Sequence, residues 1–112
     1  MEDNILKELY PIRNCEFEKN ENGLVVVFYK NTKPSFIEKI FFKKLINKPY
    51  KIDLDEIGSY IYEICDGKFN TNEIVQKSKE HFGEKVEPVE QRVIKFIEML
   101  NKNKLITLYE KR

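Results

Sequence analysis

Apolar residues in the C-terminal half of the chain recur at the spacing of amphipathic helices, and polar residues between them fall where helices start and stop. Asp55 and Asn70 can each cap a following helix, because their side-chain oxygens accept hydrogen bonds from the free amides of the first turn. The pattern therefore predicts helices at about residues 56–65, 71–82 and 88–102.

The N-terminal half has the alternation of strands. Residues 13–29 predict a hairpin whose turn lies at residues 20–23, because short alternating and β-branched runs flank a turn that ends in glycine. The run from Leu24 to Tyr29 predicts a strand covered on both sides or along most of its length. The segment Leu105–Tyr109 predicts a short terminal strand, and residues 1–12 look like a leader or short helix ending at Pro11.

Another short strand is predicted just before the first of the three helices. Its side chains divide into two sets, with Tyr50, Ile52 and Leu54 on one face and Lys51 and Asp53 on the other. Together these elements predict an α+β fold, in which an N-terminal three-stranded antiparallel sheet is followed by three helices.

The helix at residues 88–102 has a wide apolar surface. Beside its core stripe, Ile94 and Met99 lie on opposite flanks, so the apolar arc spans about 220° at 100° per residue. A helix that packs against only one layer needs a narrower apolar arc than this. Either the helix forms one wall of a groove for a partner, or one flank meets the N-terminal strands; the sequence does not decide between them.

Length and charge limit the class of protein. A chain of 112 residues fits one domain over residues 1–112, with strands in 13–54 and a helical part in 55–107. The formal net charge is only +1, which argues against a dedicated nucleic-acid binder. The charge is uneven, however, and residues 30–49 form a basic insert.

The basic insert interrupts the predicted strands. Ser35 could cap a short helix over residues 36–46, although the apolar positions there wrap most of the way round. We expect residues 33–48 to be mobile or to pack against another chain. We hypothesise self-association or docking on a partner enzyme through three aromatic residues, Phe36, Phe41 and Phe42.

Residues that could carry catalysis are scarce. The two cysteines, Cys15 and Cys65, lack metal or redox spacing, and we expect Cys65 to be a buried free thiol. His81 stands near a predicted helix end, where it suits the helix dipole better than catalysis. The sequence thus predicts no enzyme activity, no cofactor and no metal, and without a signal or membrane segment it predicts a cytoplasmic protein.

Residues 50–107 carry a pattern that resembles the PqqD family, which takes its name from the small protein of pyrroloquinoline quinone biosynthesis. The typical order is Leu-(Asn/Asp)-Glu-x-Gly, an apolar helix, Asp-Gly, a capped helix with Glu-Ile, a Phe-Gly stop and a long helix closing in Gly-Leu-Ile. Tyr62 stands where the family usually has Trp, and Lys104 where it usually has Gly. The matching residues are Leu54, Asp55, Glu56, Gly58, Asp66, Gly67, Glu73, Ile74, Phe82, Gly83, Leu105 and Ile106.

The resemblance implies a winged-helix relative that recognises the leader of a ribosomally made precursor peptide and presents it to a modifying enzyme. It places the leader along the edge of the third strand and against the third helix. The implied partners are the leader peptide and a modifying enzyme, for which a radical SAM enzyme is the candidate, and a homodimer is a further candidate. The implied peptide-binding residues are Tyr50, Lys51, Ile52, Asp53, Leu54, Arg92, Lys95, Phe96 and Met99.

Such binding is physically reasonable, because an unpaired strand edge offers backbone groups to an extended peptide. Arg92 and Lys95 would suit an acidic leader and Met99 an apolar anchor, but the two basic residues could equally be solvated helix residues. We expect proline in place of Ile52 to remove a backbone donor from the edge. Two alternatives stay open, a subunit-interaction domain and a winged-helix DNA-binding protein.

Overall fold

The computed structural model describes residues 3–29 and 50–110. Residues 30–49 lie outside this range, so the expectations for the basic insert and its three phenylalanines stay predictions. The described elements, in chain order, are α1 (Asp3–Glu8), β1 (Tyr10–Arg13), β2 (Glu16–Lys19), β3 (Val25–Tyr29), β4 (Tyr50–Asp53), α2 (Glu56–Ile64), α3 (Thr71–Phe82), a 3-10 helix (Gly83–Val86), α4 (Val89–Lys102) and β5 (Ile106–Tyr109).

The predicted helices are confirmed, and so are their caps. The Asp55 carboxylate accepts a hydrogen bond of 2.7 Å from the Gly58 N–H at the start of α2. At the start of α3, Asn70 and Glu73 each accept from the other's backbone N–H, at 2.8 and 2.9 Å. The helix α4 begins one residue later than predicted, because Pro88 is its N-cap residue and keeps an extended backbone.

The three-stranded antiparallel sheet is also confirmed, in the order β2-β3-β4. Val27 lies opposite Phe17 on one side and Ile52 on the other. One face of β3 is buried, whereas Val26 and Phe28 on its other face are only half-buried. Of the two alternatives expected for β3, coverage along most of its length is the one that fits, because none of its five residues is exposed while one face is only partly covered.

A second, two-stranded sheet joins the two ends of the chain and was not predicted. In it β1 pairs antiparallel with β5, and Tyr10 lies opposite Tyr109. The expectation of a helix ending at Pro11 is wrong: α1 ends at Glu8 and Pro11 lies within β1. Proline is tolerated there because the hydrogen bond at this position needs only an acceptor: the Pro11 carbonyl accepts from the Gly67 N–H at 3.1 Å.

Arg13 connects this second sheet to α2. Its guanidinium donates to the backbone oxygens of Tyr62, at 3.1 Å, and of Glu63, and it lies over the Phe17 ring. These oxygens belong to the last turn of α2, where carbonyls lack helical partners and favour a cation. Arg13 therefore fixes the end of α2 against the N-terminal strands.

The core lies between the sheets and the helices. Tyr62 is its largest fully buried side chain, and its hydroxyl donates to the Leu105 oxygen at 3.2 Å. Cys65 is buried and free, as predicted, and burial raises the pKa of its thiol to about 12. On α4 the two apolar flanks differ, since Ile94 is buried while Met99 is 39% exposed.

Candidate functional site

The outer edge of β4 is a free strand edge within the described residues. There β4 pairs only with β3, and the Leu54 N–H donates to the Val25 oxygen at 2.9 Å. Because hydrogen-bonding direction alternates along an antiparallel strand, the backbone groups of Ile52 also face β3. The N–H and C=O groups of Lys51 and Asp53 therefore face outward.

The hydrogen-bonding direction along β4 corrects the expectation for proline at Ile52. Proline at Ile52 would remove a hydrogen bond between β3 and β4, not a donor at the outer edge, because the amide of Ile52 faces the sheet. The predicted division of side chains is confirmed for the four residues whose burial is described: Leu54 is buried and Ile52 packs against the core, whereas Lys51 and Asp53 are exposed.

A serine fixes the end of β4. The Ser59 hydroxyl accepts from the Val25 N–H at 2.8 Å and donates to the Leu54 oxygen at 3.3 Å. It therefore lies between two backbone groups that would otherwise pair directly across the strands. Ser59 is almost fully buried on α2, so β4 and α2 are held as one unit. Sequence reasoning missed this residue, because a lone serine in a helix gives no signal.

Beyond its last residue, β4 opens onto a cleft of about 350 Å³, here called the β4–α4 cleft. One wall is the turn from Asp53 into α2, and the other is α4. Arg92 and Phe96 contribute the α4 wall. The lining residues are Asp53, Leu54, Asp55, Ile57, Gly58, Ile61, Arg92 and Phe96.

Gly58 explains how closely the two walls approach. A Cβ atom at this position would lie 3.1 and 3.3 Å from two atoms of the Phe96 ring, closer than ordinary packing allows. The missing side chain therefore lets Phe96 lie against the backbone of α2. The sequence suggested a close approach at this glycine but did not identify its partner.

The structure brings together some of the predicted site residues and separates others. Arg92 and Phe96 line the cleft with Asp53 and Leu54, as the resemblance implied. Lys95 lines a shallow depression on the outer surface of α4, again of about 350 Å³, which Arg92 also borders. Met99 is exposed and does not line the cleft. The binding roles of all nine predicted residues, including those that line the cleft, stay predictions.

A larger depression of about 720 Å³ lies beside β1 and β5. Its lining includes Tyr10 and Tyr109, which are partners across the strands, together with charged residues from the segments nearby. It is wide and open. The smaller β4–α4 cleft is the stronger candidate site because it joins the free edge of β4 to Arg92 and Phe96 of α4, the two elements that the resemblance indicated.

The one histidine of the sequence, His81, lies among aromatic side chains. His81 stacks on Tyr60 with ring centroids 4.2 Å apart, and Phe82 contacts both rings edge-on. Within residues 3–29 and 50–110, no three histidine, cysteine or acidic residues are grouped as metal ligands would be. In the same ranges no helix is long and apolar enough to cross a membrane.

The architecture thus defines a class, a small α+β protein whose sheet ends in a free edge beside a helix-walled cleft. Residues 47–106, more than half of the chain, match the family described as coenzyme PQQ synthesis protein D. The chain therefore belongs to the PqqD family, whose members are accessory proteins of PQQ biosynthesis and related peptide modification. No curated protein and no solved structure matches it.

Proposed function

We propose that this protein is a non-catalytic module that recognises the leader of a ribosomally made precursor peptide and presents it to a modifying enzyme. The observation that carries the proposal is the outward-facing backbone of Lys51 and Asp53 at an edge leading into the β4–α4 cleft. An extended peptide could pair with these groups as a fourth strand of the sheet.

In such a site the strand edge would supply affinity and the cleft would supply selectivity. Backbone pairing is available to any extended peptide without proline at the pairing positions, so it contributes affinity with little dependence on sequence. Alternate side chains of an added strand would point toward the α4 side, where Phe96 offers a half-buried ring. The cleft would then select among peptides that the edge alone would accept.

Hydrogen bonds hold the end of this edge in place. Ser59 and the Leu54 backbone hydrogen bond fix the end of β4, and the Asp55 cap fixes the first turn of α2. A peptide that binds here would lose its own conformational freedom, but the protein would lose little. This arrangement supports a binding role in which the protein acts as a rigid template.

The proposal assigns no reaction to the chain itself. Its partners are the leader peptide and a modifying enzyme, with a radical SAM enzyme as the candidate, and the proposed location is the cytoplasm. Family membership supports an accessory role beside other proteins of the pathway. The enzyme would supply the chemistry while this chain supplies recognition.

Calorimetric titration with leader peptides encoded beside this gene tests the proposal. We expect one leader to bind with one-to-one stoichiometry and a scrambled version of the same composition to bind much more weakly. The thermal melt must be measured on the same sample, so that absent binding is not mistaken for an unfolded protein.

Failure of every leader to bind an intact protein would contradict peptide recognition. Sedimentation at several concentrations would then test the subunit-interaction alternative, in which the mass rises with concentration. A salt-dependent shift of a DNA fragment in a gel would support the DNA-binding alternative instead.

A further inference from the structure

Arg92 presents an unneutralised positive charge to the β4–α4 cleft. One of its guanidinium nitrogens donates to the Lys85 backbone oxygen at 3.1 Å, which holds the side chain in place. Among residues 3–29 and 50–110, its remaining donors have no hydrogen-bond partner and it makes no ion pair. An anchored arginine with free donors is suited to bind a carboxylate.

The acidic residues of the cleft do not neutralise Arg92. Asp55 lines the same cleft, but its carboxylate accepts the Gly58 N–H as the helix cap. Asp53 is exposed and alternates with the inward-facing Ile52 and Leu54, so its side chain belongs to the opposite face of β4. Of the charged side chains that line the cleft, Arg92 is the one that α4 contributes, and it forms no ion pair with the two acidic ones.

Phe96 supplies an apolar surface beside that charge. Its ring packs against the α2 backbone at Gly58, and it is only half-buried while lining the cleft. A bulky apolar side chain of a ligand could cover the rest of the ring. Aromatic and aliphatic groups that fill such pockets commonly carry much of the binding energy of an interface.

The separation of the two groups matches the repeat of a strand. Arg92 and Phe96 are four residues apart on α4, which corresponds to a rise of about 6 Å. Alternate residues of a strand lie on one face and are about 6.6 Å apart. A strand that adds to β4 and runs along α4 can therefore present one side chain to Arg92 and the next on the same face to Phe96.

We propose that the cleft selects leader segments in which an acidic residue stands two positions from a bulky apolar residue. Arg92 is the specificity-determining residue for the acid, and Phe96 receives the apolar side chain. The direction of the added strand fixes which of the two comes first. This inference rests on the proposed function and names the class of peptide that the same site takes.

Selection from a phage-displayed library of random twelve-residue peptides tests the inference and does not require the leader to be identified first. With the wild-type protein we expect enriched sequences to share an acidic residue two positions from Phe, Tyr, Leu, Ile or Met. With Arg92→Glu, a basic residue should replace the acidic one at unchanged spacing. Lys102→Glu makes the same change of charge elsewhere on α4 and should leave the preference as it is.

Calorimetric titration then measures the interaction between Arg92 and the acidic residue of the peptide. For one enriched peptide, Arg92→Glu should weaken binding by about three- to tenfold, and a lysine in place of the peptide's acid should restore part of it. Moving the acid by one position, onto the other face of the strand, should cost as much as removing it. The thermal melts of Arg92→Glu and Lys102→Glu must match that of the wild-type protein.

The outcomes separate this inference from the function on which it rests. Enriched peptides that lack an acid at this spacing, or an unchanged preference with Arg92→Glu, would overturn the inference and leave peptide binding standing. A library from which no peptide is enriched would count against both.

Discussion

At the scale of single residues, Gly58 controls the shape of the candidate site. Its missing side chain lets the Phe96 ring approach α2, and Gly58→Ala would press on that ring. The added methyl group favours the helix by about 0.5–1 kcal/mol, while crowding opposes it, and a half-exposed ring can move away. We expect the free energy of unfolding to stay within about 1 kcal/mol of the wild type.

Peptide affinity should respond differently, because the displaced ring would enter the cleft. We expect Gly58→Ala to weaken leader binding severalfold in calorimetry, although urea unfolding barely changes. The control is Gly23→Ala, since Gly23 lies in the β2–β3 turn with a φ of +77° and open space around it, and it does not line the cleft. Gly23→Ala should lose stability but keep its affinity for the leader. If Gly58→Ala and Gly23→Ala changed stability and affinity in the same way, this role of Gly58 would be contradicted.

Lys104 carries a local strain that the resemblance helps to explain. Its φ is +61°, a left-handed conformation that glycine adopts freely and lysine does not. The related sequences usually have glycine at this position. The preference therefore has a backbone cause, which is the tight turn between α4 and β5.

Replacing Lys104 with glycine should relieve this strain. We expect Lys104→Gly to raise the free energy of unfolding by about 0.5–1 kcal/mol in urea denaturation, and Lys104→Ala to give no such gain. The alanine variant separates the backbone effect from loss of the charge. Equal stability of the two variants would show that the charge, not the conformation, matters here.

At the scale of elements, the two directions of hydrogen bonding on β4 make a sharp test. Lys51→Pro removes an outward-facing N–H and leaves the bonds to β3 in place, as proline on an edge strand allows. We expect it to melt near the wild type and to lose most of its affinity for the leader. Lys51→Ala should retain binding, because it keeps the backbone donor.

Ile52→Pro is the opposite case, since its amide faces β3. We expect it to disrupt the sheet and broaden or abolish the cooperative melt. Wild-type affinity in a folded Lys51→Pro variant would contradict pairing along this edge. Circular dichroism and calorimetry on the same samples decide between loss of binding and loss of structure.

The helices and the hairpin could be predicted from the sequence because their signals are local. Asp55, Asn70 and Glu73 lie within one turn of the amides that they cap, so spacing along the chain identifies them. The alternation around β4 is also local. The pairing of β1 with β5 depends on residues almost a hundred positions apart, and Pro11 within β1 argued against a strand.

The site could be predicted only in part for the same reason. The resemblance indicated β4 and α4, and the structure places Arg92 and Phe96 in one cleft with the end of β4. The contact of Gly58 with Phe96 and the insertion of Ser59 between two strands required the fold. Residue spacing does not predict that Gly58 contacts Phe96 or that Ser59 contacts β3, because the elements involved are far apart in the sequence.

At the scale of the whole molecule, the second sheet and Arg13 hold the terminal segments against the same core as the candidate site. The β1–β5 sheet leaves β5 with an unpaired outer edge among the described residues, as β4 has. The two edges belong to different sheets. A peptide that binds the protein must therefore be located on one edge or the other.

Amide hydrogen exchange followed residue by residue in NMR spectra makes that distinction most directly. Peptide pairing along β4 predicts that saturating leader peptide slows exchange at the outward-facing amides of Lys51 and Asp53 and shifts the signals of Arg92 and Phe96. Slowed exchange at Ile106 and Leu108, whose amides face the outer edge of β5, with the amides of Lys51 and Asp53 unchanged in the bound state, would contradict it.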